Sequence, residues 1–170
     1  QGKDEWAMAC HEQALSIARE VGDRRTEGMT LGNLGRAYQD LGRTTRAMES
    51  YNEALEIARQ VGDRRSEATW LGDLGQAYAE LGDLPQASAL QEQALTIYRE
   101  IGDRRSEGNY LANLGLLARQ QGDEDRAHEV WSDALRTLEA MKDPAAGRVW
   151  QWLADLEGQP AELPGAAPAR

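Results

Sequence analysis

The chain is 170 residues long, 41% apolar and 28% charged, with 17 glycines, five tryptophans, five tyrosines and no phenylalanine. Its 29 acids against 19 bases leave a formal charge of −10, which argues against the basic face that nucleic-acid phosphate requires and against docking on an anionic membrane. A single cysteine, Cys10, and two histidines exclude an internal disulfide and a finger-type zinc cage, and no apolar run reaches the roughly 20 residues of a membrane-spanning helix.

No signal sequence is visible, and the chain opens on Gln1-Gly2-Lys3 rather than Met, so it is expected to be a piece of a longer protein. Ala14, Leu15 and Ile17 fit the second half of a repeat, so residues 1–22 form a partial unit. Cys10 within it reads as a small buried hydrophobe. Val21-Gly22-Asp23-Arg24-Arg25 then returns as Val61-Gly62-Asp63-Arg64-Arg65 and as Ile101-Gly102-Asp103-Arg104-Arg105, a spacing of 40 residues each time. Repeats are thus expected over 23–62, 63–102 and 103–142.

In the first copy Leu31, Leu34, Tyr38 and Leu41 recur at three- and four-residue steps, one face of a helix that Gly42 ends. Ala47, Tyr51, Ala54, Leu55 and Ala58 give the second helix, which Gly62 ends, and Asp63 caps the next. The later copies follow, with Gln91 and Trp131 in the place of Tyr51. Pro85 and Pro144 fall in first helical turns, where a missing N–H is harmless. Residues 143–157, with Trp150 and Trp152, predict a single capping helix, and the Pro/Ala-rich 158–170 a disordered tail. The mid-helix glycines Gly32, Gly35, Gly72, Gly75 and Gly115 each cost roughly 1 kcal/mol against Ala. Close backbone approach, with Ala47, Ala87 and Ala127 opposite, would justify them and the missing phenylalanine. Fold class is therefore all-α, about seven helices plus a C-terminal cap, paired as antiparallel hairpins.

Asn33-Leu34-Gly35, Tyr38, Leu41-Gly42, Ala47, Tyr51, Ala54-Leu55, Ile57-Ala58 and Gly62-Asp63-Arg64 resemble the tetratricopeptide repeat in its 40-residue subclass. That subclass is found in spindle-orientation adaptors, kinesin light chains and the C-terminal arrays of bacterial NTPase-type regulators. The resemblance covers residues 4–143 and implies a right-handed superhelical solenoid. It also implies a concave groove lined by the first helix of each pair: Met29, Gly32, Arg36, Gln39 and Asp40; then Thr69, Gly72, Gln76, Ala79 and Glu80; then Asn109, Ala112, Leu116, Arg119 and Gln120. Gly32, Gly72 and Ala112 would leave its floor open. Carboxylate-clamp members are less similar, since Lys and Asn are expected where Gly32, Arg36, Gly72, Gln76, Ala112 and Leu116 stand.

The implied function is a non-catalytic module that binds a peptide or helix of a protein partner in this groove. The alternative is a sensory or autoinhibitory domain of a larger bacterial NTPase-type transcriptional regulator. No nucleophile elbow, phosphate-cradling loop or metal-ligand spacing occurs, so no enzymatic activity, cofactor or metal is expected. Self-association is compatible with the pattern. The 17 arginines against two lysines fit a GC-rich bacterial source, and a cytoplasmic location is expected. Arg24-Arg25 and their repeats read as local ion networks with Glu27, Glu67 and Glu107. Asn33, Asp73 and Asn113 either touch a ligand or bridge neighbouring repeats. His11 and His128 read as surface or packing residues, and Trp70, Tyr110 and Trp131 as inter-helix packing.

Overall fold

Glycine and aspartate determine where the helices stop and start. In the computed structural model, which describes residues 2–158, eight helices follow one another: α1 (Gly2–Val21), α2 (Arg24–Asp40), α3 (Thr44–Val61), α4 (Arg64–Glu80), α5 (Leu84–Glu100), α6 (Arg104–Gln120), α7 (Glu124–Ala140) and α8 (Ala145–Leu156). No strand occurs among the described residues. The expected tail, beyond Gly158, lies outside them.

The punctuation is best seen between α3 and α4. Gly62 takes the left-handed conformation at φ 71°, which lets its own N–H and that of Asp63 close on the last carbonyls of α3. The Asp63 carboxylate then accepts from the Ser66 N–H at 3.1 Å, capping α4. Asp23, Asp103 and Asp123 do the same for α2, α6 and α7. Arg43, before α3, makes no side-chain cap. Pro144 stands as the N-cap residue of α8, one place before the helix rather than inside its first turn.

The described residues form two compact units that divide between Ile97 and Tyr98, inside α5. In the first unit α1 packs on α2, α2 on α3 and α3 on α4. In the second α6 packs on α7 and α7 on α8, where Val149, Leu153 and Ala154 are buried and Trp152 lies 5.6 Å from Trp131, centroid to centroid. Ala47, Ala87 and Ala127 are fully buried.

Mid-helix glycines serve rings more than backbones. A Cβ on Gly35 would lie 2.5 Å from the Tyr51 ring, and one on Gly115 would lie 2.3 Å from Trp131. Tyr51 and Trp131 are both fully buried, so each second helix presses an aromatic plane into the notch left by a glycine of its partner. At Gly75, where Gln91 replaces the ring, the nearest neighbour is instead backbone, the Ala87 carbonyl at 3.2 Å. The expectation of general backbone-to-backbone closure is corrected accordingly.

One expectation for α1 fails: Cys10 is exposed, not buried. Ile17, matched to Ile57 by the repeat, is 53% exposed. Their counterparts one repeat on, Ser50 and Ile57, are buried, and Ile57 does so against Gly28 of α2. The face that α3 turns toward α2 has no covering helix on α1 among the described residues.

Candidate partner-binding face

Glu27, Glu67 and Glu107 fix the first turn of α2, α4 and α6. Each side chain is under 10% exposed and is held by two arginines, one from the end of the preceding helix and one three residues before it. Arg19 and Arg24 reach Glu27 at 2.9 and 2.6 Å. Burial opposes the Glu27 charge, but the two guanidinium groups outweigh it and hold its carboxyl below the usual range. Arg25 crosses to Asp63 at 3.0 Å, and Arg105 to Asp143 at 2.9 Å. The arginine pairs are thus local ion networks, as their sequence context indicates.

With the helix starts pinned, α2 and α4 present their inner residues side by side. Gly32 is not an open floor. A Cβ there would lie 2.2 Å from the Trp70 ring, which reaches across from α4 and is only 5% exposed. Trp70 stacks on Tyr51, centroids 6.4 Å apart and planes 18° off parallel. The Arg36 guanidinium lies over the other component of this stack, 5.1 Å from the Trp70 centroid. Its Nε donates to Asp73 Oδ2 at 2.8 Å. Burial pushes the Asp73 carboxyl above its ordinary value, against the pull of Arg36.

A second rung runs parallel. Gln39 donates to Glu80 at 2.6 Å and accepts from the Tyr51 hydroxyl at 2.8 Å. Burial raises the Tyr51 phenol far above its ordinary value, so it remains a donor. Met29 and Asp40 are exposed at either end of α2; Thr69 and Ala79 are half-buried, Gly72 is buried, and Gln76 is exposed on α4. Gly72 receives the Gln91 amide on its carbonyl at 3.1 Å.

In the second unit, α6 exposes Asn109, Arg119 and Gln120, half-buries Leu116 and buries Ala112, whose carbonyl accepts from Trp131 Nε1 at 3.0 Å. Asp73 takes the bridging alternative, while Asn33 and Asn113 are exposed. His128 meets Glu157 at 2.8 Å on the surface. Trp70 and Asp73 organise Arg36, a role that no single-copy pattern signals, because it needs the neighbouring repeat in place. Among the described residues no group of three metal-ligating side chains occurs and no helix is long and apolar enough to cross a membrane.

Comparison with known proteins bears on the fold. No curated protein sequence matches the chain. Among solved structures it is similar to BtubC from P. vanneervenii, at 21% identity and a TM-score of 0.78 over 91% of this chain and 66% of that one. It is also similar to a STAND protein with a tetratricopeptide repeat sensor from Pyrococcus horikoshii, at 22% identity and a TM-score of 0.81 over 92% of this chain. A third is a Rap protein complexed with Competence and Sporulation Factor, at 19% identity and a TM-score of 0.84 over 91% of this chain and 44% of that one. The chain thus spans just under two thirds of BtubC and a quarter of the STAND protein. The tetratricopeptide repeat model matches residues 1–60, 26–100 and 65–140, and with the helix hairpins and their 40-residue period this makes the chain a member of the tetratricopeptide repeat family.

Proposed function

We propose that this chain is a non-catalytic interaction module that binds a peptide or helix of a protein partner along the inner residues of its first helices. The observation that carries this reading is the double rung between α2 and α4. Arg36 and Gln39 are held by Asp73, Trp70, Glu80 and Tyr51 while Arg36 remains about half exposed. Side chains fixed before a ligand arrives lose little rotamer entropy on binding. Arg36, Gln76 and Arg119 offer donors to a partner's carbonyls, and Asp40 and Glu80 receive its basic groups. The mixture of signs selects by pattern rather than by net charge. In this reading the chain acts as a cytoplasmic adaptor, and a bacterial origin fits its arginine-rich composition.

A second reading is favoured by the likeness to the STAND protein, whose repeats are described as a sensor. The chain would then sense a ligand for, or restrain, a neighbouring NTPase domain of a bacterial regulator.

Affinity capture separates binding by these residues from adventitious adhesion. Partners recovered by the wild type are expected to be lost with Arg36→Ala/Gln76→Ala/Arg119→Ala and kept with Arg136→Ala, an exposed α7 control. Equal recovery of every partner by both variants overturns the proposal.

A further inference from the structure

Each hairpin closes on one register position of its second helix. In the α2–α3 pair Tyr51 fills the Gly35 notch, and its hydroxyl donates to Gln39 at 2.8 Å. In the α6–α7 pair Trp131 fills the Gly115 notch, and its Nε1 donates to the Ala112 carbonyl at 3.0 Å. The α4–α5 pair, between them in the chain, has Gln91 instead. Its Nε2 donates to the Gly72 carbonyl at 3.1 Å, the bond that Trp131 makes one repeat later. The likeness ends there. Gln91 is 4% exposed, and its Oε1 accepts no hydrogen bond among the described residues. A buried acceptor without a donor opposes the closed state, because opening returns it to water.

The notch is also held less firmly. A Cβ on Gly75 would lie 3.3 Å from the Gln91 Cγ, against 2.5 Å from the Tyr51 ring at Gly35 and 2.3 Å from Trp131 at Gly115. A flexible methylene chain thus stands where the other two pairs bury an aromatic plane, with less apolar area to hold the helices together. A second observation falls on the same helix: the compact units divide within α5, so neither unit encloses the whole of it. In a repeat array each element is held by its neighbours alone, so a weak pair opens without unfolding the rest.

We infer that the α4–α5 hairpin is a conformational device, a yielding layer that opens locally while α2–α3 and α6–α7 stay closed, and that Gln91 sets its looseness. Because α4 carries Trp70, Asp73 and Glu80, each opening shifts one side of the double rung against Arg36 and Gln39. The inference stands on hairpin packing and holds whether or not the rung binds a partner.

Native-state hydrogen exchange of the full chain provides the test. The slowest amides of α4, and of α5 as far as Ile97, are expected to exchange about tenfold or more faster than the slowest of α2–α3 and of α6–α7. Gln91→Trp, which copies Trp131 and keeps a donor for the Gly72 carbonyl, should erase that difference. Gln91→Met keeps the volume and removes the orphaned acceptor, and should slow exchange in α4–α5 about threefold or more; it decides the question if the tryptophan variant misfolds. Protection of α4–α5 equal to or greater than that of either other pair, or exchange there that no folded Gln91 variant slows, overturns the inference.

Discussion

Trp70 shows how one side chain changes the meaning of its neighbours. Glycine at position 32, read alone, marks an empty place on an inner helix face. With the indole of the next repeat laid over it, the same glycine becomes the seat of a platform on which Arg36 rests. Tyr51 and Trp131 play the corresponding part toward Gly35 and Gly115. The period made these positions legible in the sequence, since it identified which residues recur. It did not disclose which ring fills which notch, because Tyr51, Gln91 and Trp131 occupy one register with three different shapes. Lys142 is the residue-scale exception to the glycine stops, holding φ 54° where Gly22, Gly62 and Gly102 stand in earlier copies. A side chain in that conformation costs about 1 kcal/mol or more. Lys142→Gly should therefore stabilise the chain by up to about 1 kcal/mol, net of glycine's greater freedom when unfolded. The change should appear as a Tm rise of up to about 2–4 °C by calorimetry; an unchanged or lower Tm contradicts it.

Helix by helix, the governing device is the carboxylate that ties the end of one helix to the start of the next. Glu67 takes Arg59 from the last turn of α3 and Arg64 from the first turn of α4. Exposed ion pairs contribute little, but Glu67 is 9% exposed, so stripping its partners strands a charge away from water. Arg59→Ala/Arg64→Ala should cost about 3–5 kcal/mol in urea unfolding, whereas Glu67→Gln, which leaves two arginines that are already about half exposed, should cost about 1–3 kcal/mol. A double variant no worse than the single one would show the carboxylate to be solvated. This device was legible at the level of elements: the Gly-Asp-Arg-Arg block followed by Glu sits at the start of α2, α4 and α6. Asp73, however, departs from Asn33 and Asn113, and its bond to Arg36 required knowledge of how far apart α2 and α4 lie. The exposed Cys10 was misread for a related reason, and Ile17 shows the same departure. Repeat phase assigns them to a packing face, but burial depends on a neighbour that phase alone does not supply.

For the molecule as a whole, acid supplies the sharpest test. Desolvation is outweighed at Glu27 by Arg19 and Arg24, and Asp23 and Asp63 are lowered chiefly by bonds from Thr26 and Ser66. A carboxylate lowered in the folded state contributes stability above its unfolded pKa of about 4 and loses it as pH falls through the lower folded value. Asp73 has the opposite sign: raised by burial, it costs stability when charged and relieves that cost on protonation. Three lowered groups against one raised predict a Tm that is flat near neutrality and falls below about pH 4. Asp73→Asn should remove the opposing contribution and steepen the fall. A Tm that rises on acidification below that point contradicts the balance.

The carboxylate ties also act as rulers. From Arg19 to Glu27 and from Arg59 to Glu67 the separation is eight residues, spanning a left-handed glycine and a capping aspartate. A single residue added there would break the tie, the cap and the glycine closure together. The turn between α2 and α3 carries no such span: Arg43 offers no cap, and no carboxylate tie crosses the turn among the described bonds. Evolutionary insertions, and engineered ones such as a reporter peptide or an affinity tag, therefore belong after Gly42, where the chain can lengthen without altering the phase of the helices on either side.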